Sequence, residues 1–226
     1  MPLWRNLFCT MSEELEILRK LHFGSVTEQE LLDIHYRFRD SYRVQLNLVM
    51  HPNFPQRFAI NIVSRLYAVD LMRVVKNKRT NPFIRKKAEF EFDQKYQRFP
   101  LGEKLSHMKI APYPLLLRFI EEKNKKVLEA MLGNPYCTED LVIRFINRNT
   151  PRHDFYDALL DTEWYKRPAV AEAVISDEEA PIRMVITVIP YLGKRTLRKL
   201  YENENTHRIV KKNIIDYYQN QRDKDS

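Results

Sequence analysis

The feature that most restricts this chain is a stretch of sequence that occurs twice. Val44 to Val63 reads VQLNLVMHPNFPQRFAINIV, and Val127 to Ile146 reads VLEAMLGNPYCTEDLVIRFI. A constant offset of 83 pairs Val44 with Val127, Val49 with Leu132, Pro52 with Pro135, Phe58 with Leu141 and Ile60 with Ile143. One residue of slip then sets Asp70-Leu71-Met72 against Asp154-Phe155-Tyr156, and removing it sets Ala88-Glu89 against Ala171-Glu172. A third, partial echo runs from Leu116 to Val127 against Leu197 to Ile209. Apolar positions meet apolar positions throughout, and the same proline corner interrupts both copies. Repetition of helix pairs at tens of residues marks units that cannot bury their apolar faces alone and must stack on their neighbours.

Local signals agree on helix. Thr10-x-x-Glu13 and Thr27-x-x-Glu30 fit a capping box, in which side chains satisfy the orphan amides of a helix start. Apolar residues then recur at helical spacing, as in Leu31, Leu32, Ile34 and Phe38. Pro55, Pro82, Pro114, Pro151 and Pro181 each open such a segment, where a missing amide costs least. The chain has four glycines in 226 residues, Gly24, Gly102, Gly133 and Gly193. Their isolation excludes a GxGxxG fingerprint, a P-loop and a GxSxG elbow. It also argues against hairpin-rich β structure. Gly24, Gly133 and Gly193 suit the left-handed residue that closes many helices.

The pattern hxNPxxTxxxhxxhh, clearest in LGNPYCTEDLVIRFI, resembles HEAT-like and leucine-rich-repeat-variant α-solenoids of bacteria. FPLGEKLSHMKIAP followed by NKKVLEAMLGNPYCTEDLV is similar to a group of bacterial helical-repeat proteins with an LGEK…LL…NP…TE order. The resemblance covers roughly residues 48–218 and implies an all-α, right-handed α-solenoid of about seven stacked short helix pairs. It carries no particular activity, since such stacks present surfaces to many partners. The expected organisation is an N-terminal extension over 1–11, with Met11 as an alternative start, and one helical-repeat domain over 12–218. Within that domain lie a hairpin at 12–40, repeats at 41–204 and a capping helix at 205–218, followed by a disordered tail at 219–226.

Charge is concentrated. Of a net +8, a local +7 lies between Arg73 and Lys109, where 11 Lys and Arg face four acids. The candidate anion-binding residues are Arg73, Lys76, Lys78, Arg79, Arg85, Lys86 and Lys87, which would meet an acidic protein, an acidic surface or nucleic-acid phosphates. Against that stands a solvated, salt-bridged face, because Glu89, Glu91 and Asp93 follow at once. Phe83, Phe90, Phe92, Tyr96 and Phe99 interleave with the cations and could stack on bases, although helical spacing favours core packing. A HEAT-like DNA glycosylase is the enzymatic alternative, with Glu163-Trp164-Tyr165 as its only local acid beside aromatics. Trp164 is better read as a plug between helices.

His22, His35, His51, His107, His153 and His207 are dispersed, without metal-ligand spacing to each other or to Cys9 and Cys137. No cofactor, metal or catalytic residue is assigned. Two cysteines fit a reducing cytoplasm, and no apolar run approaches a membrane span. The expected function is non-enzymatic binding by a scaffold or adaptor that docks a protein partner, with a nucleic-acid-binding module as the alternative.

Overall fold

A computed structural model describes residues 3–148 and 153–222. The described residues are helical with no strand, and they fall into two compact units, Met1–Pro100 and Leu101–Ser226. A boundary at Pro100 was not foreseen within the single domain expected over 12–218. Pro100 cannot supply the amide that would extend the preceding helix, and its ring disfavours helical backbone at Phe99.

The first unit holds α1 (Leu3–Phe23), α2 (Glu28–Arg37), α3 (Tyr42–Met50), α4 (Gln56–Val63), α5 (Ala68–Lys76) and α6 (Pro82–Tyr96). Here α3 packs on α1, α2, α4 and α5, while α6 packs on α4 and α5. The second unit holds α7 (Leu101–Met108), α8 (Tyr113–Arg118), α9 (Lys125–Leu132), α10 (Glu139–Ile146), α11 (His153–Leu160), α12 (Pro168–Ser176), α13 (Ile182–Val188), α14 (Lys194–Glu202) and α15 (Arg208–Arg222). Short 3-10 turns occupy Trp164–Lys166 and Ile189–Tyr191. In this unit α9 packs between α7 and α11, α12 on α10, and α15 on both α13 and α14.

The 83-residue similarity maps helix onto helix. Each of α3, α4, α5 and α6 corresponds to the element six places later, α9 to α12, and the partial echo sets α8 against α14. Burial follows the pairing: Val44 and Val127, Val63 and Ile146, Ala88 and Ala171, and Phe54 and Cys137 are all buried. Six helices fill one period, so the structural unit is a hairpin of about one third of it. Hydrogen bonds show the same step. Asn77 bonds to Met50 across 27 residues, Ser64 to Glu91 across 27, Asn134 to Met108 across 26 and Arg167 to Glu139 across 28.

Helix starts are mostly as the sequence indicates. Thr27 and Glu30 form both bonds of the capping box. The Lys20 ammonium, then the Thr27 amide, hold the exposed Glu30 carboxyl down to about 2. Pro82 opens α6 behind the Asn81 cap; Pro55 and Pro181 sit one residue earlier than expected, as N-caps, and Pro114 lies in the first turn of α8. Pro151 lies outside the described residues, as do Met1 and 223–226. Thr10 is not a helix start, because α1 runs continuously from Leu3, through part of the expected extension. Likewise α15 continues to Arg222, past the expected start of the tail.

The glycine expectation is corrected. No described residue has positive φ. Gly133 ends α9 in right-handed helical geometry, and Gly193 is the N-cap of α14 rather than a helix terminator. Gly24 is required by space, since a Cβ there would lie 2.7 Å from the Lys20 carbonyl oxygen. Helices leave instead through extended caps at His51, Asn77, Asp177 and Asn203. Any residue can adopt that geometry, which is why so few glycines suffice.

Candidate functional site

The corners are built by one recurring device. The side chain just past a helix end accepts a hydrogen bond from the backbone amide two residues on. His51 Nδ1 accepts from Asn53 (3.2 Å), Asn77 Oδ1 from Arg79 (3.0 Å), Asn134 Oδ1 from Tyr136 (2.6 Å), Asp177 Oδ1 from Glu179 (3.2 Å) and Asn203 Oδ1 from Asn205 (2.9 Å). At two of them the amide's other end reaches back one hairpin. Asn134 Nδ2 donates to the carbonyls of Met108 (2.6 Å) and Ala111 (3.1 Å), and Asn77 Nδ2 donates to that of Met50 (3.3 Å). The Thr80 hydroxyl donates to the same Met50 carbonyl at 3.3 Å.

This device sets the basic residues in place. Helix α5 buries Leu71, Met72, Val74 and Val75, so Arg73 and Lys76 are left on its exposed side. The Asn77–Thr80 corner, tied to Met50, brings Lys78 and Arg79 up beside the preceding corner at His51. Together Arg73, Lys76, Lys78 and Arg79 line a groove of about 670 Å³. Leu21, Asn47, Met50 and Pro52 supply much of the remaining surface, with His22 and His51. Arg73 shares its charge with Asp70 at 3.0 Å. Lys78 and Arg79 have no ion-pair partner among the described residues, and both are exposed. No Phe, Tyr or Trp is among the groove's lining residues.

His51 is buried, and its pKa is lowered, first by burial and then by the Arg79 charge. The neutral ring is the favoured form. Because Nδ1 accepts from Asn53, the ring proton resides on Nε2, leaving a second donor in a site already rich in donors.

The remaining basic candidates do not line the groove, and two of them are engaged in ion pairs. Lys86 pairs with the buried Glu89 at 2.8 Å; Lys87 pairs with Glu91 at 2.6 Å and sits 5.2 Å from the Phe90 ring. Arg85 is half-buried, with its Nε shielded from solvent and lacking a hydrogen-bond partner among the described residues. The seven candidates therefore divide: four line one groove and three do not. Of the aromatics, Phe92 and Tyr96 are buried and Phe83 and Phe90 exposed.

In the second unit the half-buried Trp164 donates from Nε1 to the Leu132 carbonyl at 2.9 Å, with the Arg167 guanidinium 4.4 Å from its ring. Glu163 is held in an ion pair with Lys166. Buried Cys137 has its thiol pushed up to about 11 by burial. Among the described residues no three of His, Cys, Asp and Glu gather to hold a metal, and no helix is long and apolar enough to cross a membrane. Comparison with known proteins returns no matching family model, curated relative or solved structure.

Proposed function

We propose that each unit is a stretch of right-handed, HEAT-like α-solenoid, and that the chain is a non-enzymatic binding protein of the bacterial cytoplasm. The reading of the fold rests on the hairpin-length recurrence of hydrogen bonds and on packing between helices two apart. Its first unit docks an acidic segment of a protein partner in the groove bounded by Arg73, Lys76, Lys78 and Arg79. The observation carrying this reading is the convergence of those four cations on one concave surface, held there by the Asn77–Met50 bond. Clustered arginine and lysine recognise acidic motifs through charge-assisted hydrogen bonds. Leu21, Met50 and Pro52 give an apolar residue of the same segment somewhere to rest.

Single-stranded nucleic acid is served less well, because base stacking needs aromatic platforms and this groove has none. A labelled decapeptide of glutamate with one central leucine, followed by fluorescence anisotropy, tests the reading. Binding by the full chain should fall at least tenfold in the Lys78→Glu/Arg79→Glu double variant. Unchanged binding would refute the site. Lys86 is left alone in this experiment, since reversing it would strand the buried Glu89 carboxylate.

A further inference from the structure

A second concavity of the first unit lies on another side of α3. Successive helix residues turn by about 100°, so Gln45 faces about 140–160° away from Met50 and Asn47, which belong to the basic groove. The cavity is about 400 Å³, within the roughly 300–1,000 Å³ typical of small-molecule sites. Three rings form one wall. His35 lies 5.3 Å from Phe58, and Tyr36 meets Phe58 edge to face at 6.0 Å. Tyr36 is 62% exposed, leaving a large aromatic surface uncovered.

His35 is fixed by its neighbour. Gln45 Nε2 donates to the carbonyls of Phe38 (2.9 Å) and His35 (3.2 Å), so the Gln45 oxygen is the atom facing the ring. That oxygen lies 2.7 Å from His35 Nδ1, which must therefore carry the proton. In the neutral ring Nε2 is then an acceptor. Arg39 and Arg65 also line the cavity, both exposed and neither with an ion-pair partner among the described residues. Asp40 and Asn61 add a carboxylate and an amide.

We propose that this cavity binds a small organic anion with a flat ring and sugar hydroxyls, of the nucleoside monophosphate class. Two arginines lining one cavity suit a phosphate, since each planar guanidinium fork can grip two oxygens at once. Tyr36 and Phe58 cover the ring's apolar faces and edges. Asp40 would repel a bare anion, and its place in the site is explained by a ligand that brings hydroxyl donors. The cavity and the basic groove share no lining residue.

Isothermal titration of the full chain with AMP, adenosine, inorganic phosphate and phenyl phosphate tests the assignment. AMP should bind at one site, and the other three at least tenfold more weakly. Arg39→Ala/Arg65→Ala and Tyr36→Ala should each weaken AMP tenfold or more with the thermal midpoint kept, since all three side chains are exposed. Arg39→Lys/Arg65→Lys should retain part of the affinity through charge alone. Lys78→Glu/Arg79→Glu should leave it unchanged. No AMP binding up to about 5 mM overturns the proposal. So does phenyl phosphate or inorganic phosphate binding as tightly as AMP, or loss of AMP only in the Lys78/Arg79 variant.

Discussion

The Asn134 amide nitrogen donates to the Met108 carbonyl at 2.6 Å, joining one hairpin corner to the corner before it. With its bonds to Ala111 and Tyr136, this buried side chain satisfies three backbone groups at once. Asn134→Ala should therefore cost about 2–3 kcal/mol, because the stranded carbonyls and amide lose partners without regaining water. Asn134→Asp should cost at least as much at neutral pH, as it sets a carboxylate against two carbonyl oxygens. Urea unfolding with both variants checks the order. The half-buried Asn77, with one longer bond to Met50, should lose only about 1 kcal/mol on Asn77→Ala.

A tyrosine clasp recurs in both units. Tyr42 Oη accepts from the Tyr67 amide at 3.0 Å and donates to Asp70 at 2.7 Å; Tyr113 donates to Asp140 at 3.0 Å. Burial, with the Asp70 carboxylate adding to it, pushes the Tyr42 phenol up to about 12. Tyr42→Phe removes two hydrogen bonds near the surface and should destabilise the first unit by about 1 kcal/mol. Hydrogen exchange should show faster opening at the start of α5, with the second unit unaffected.

Stability should decline on mild acidification. His51 and His107 both have pKa values lowered by burial, at His51 with help from Arg79 and at His107 partly offset by Glu103. The unfolded chain then binds protons more readily than the folded one below about pH 6.5. Their contribution is complete above that value and is lost as pH falls beneath it, by at most about 1.4 kcal/mol per pH unit for each histidine. His51→Gln should flatten the dependence of the urea midpoint between about pH 7.5 and 5.5. An unchanged slope would contradict a neutral His51.

Much of this was written in the sequence, and the omissions have physical causes. The 83-residue offset was visible because Val44 and Val127, or Ala88 and Ala171, are constrained alike by burial. That it contains three hairpins was not visible. The intermediate corners use Asn77 without an adjacent proline, or Ala111-Pro112, and only hydrogen bonding shows their equivalence. Glycines were misread because helix ends can close with extended caps as well as left-handed ones. The basic cluster was legible as charge, and so were Glu89 and Glu91, one helical turn beyond Lys86 and Lys87; what was not legible is that the Asn77–Met50 bond turns Lys78 and Arg79 towards the His51 corner. Nothing marked the cavity beside α3. His35, Arg39, Phe58 and Arg65 form no motif and meet only because α2, α3 and α4 pack together.

Salt should separate rim electrostatics from apolar contact in the groove. Lys78 and Arg79 are exposed, so raising ionic strength from about 0.05 to 0.5 M should weaken the glutamate decapeptide several-fold. The Lys78→Glu/Arg79→Glu variant should show little residual salt dependence. Anisotropy titrations across the series measure both slopes.

The proposed docking site for acidic segments lies where the Asn77 corner meets the His51 corner. Backbone and methionine-methyl NMR of the full chain, titrated with the same decapeptide, examines it most directly. Shifts should concentrate at 50–52 and 73–80, with Tyr36 and the second unit silent. Shifts confined to other residues, or none at peptide concentrations approaching 1 mM, would contradict it.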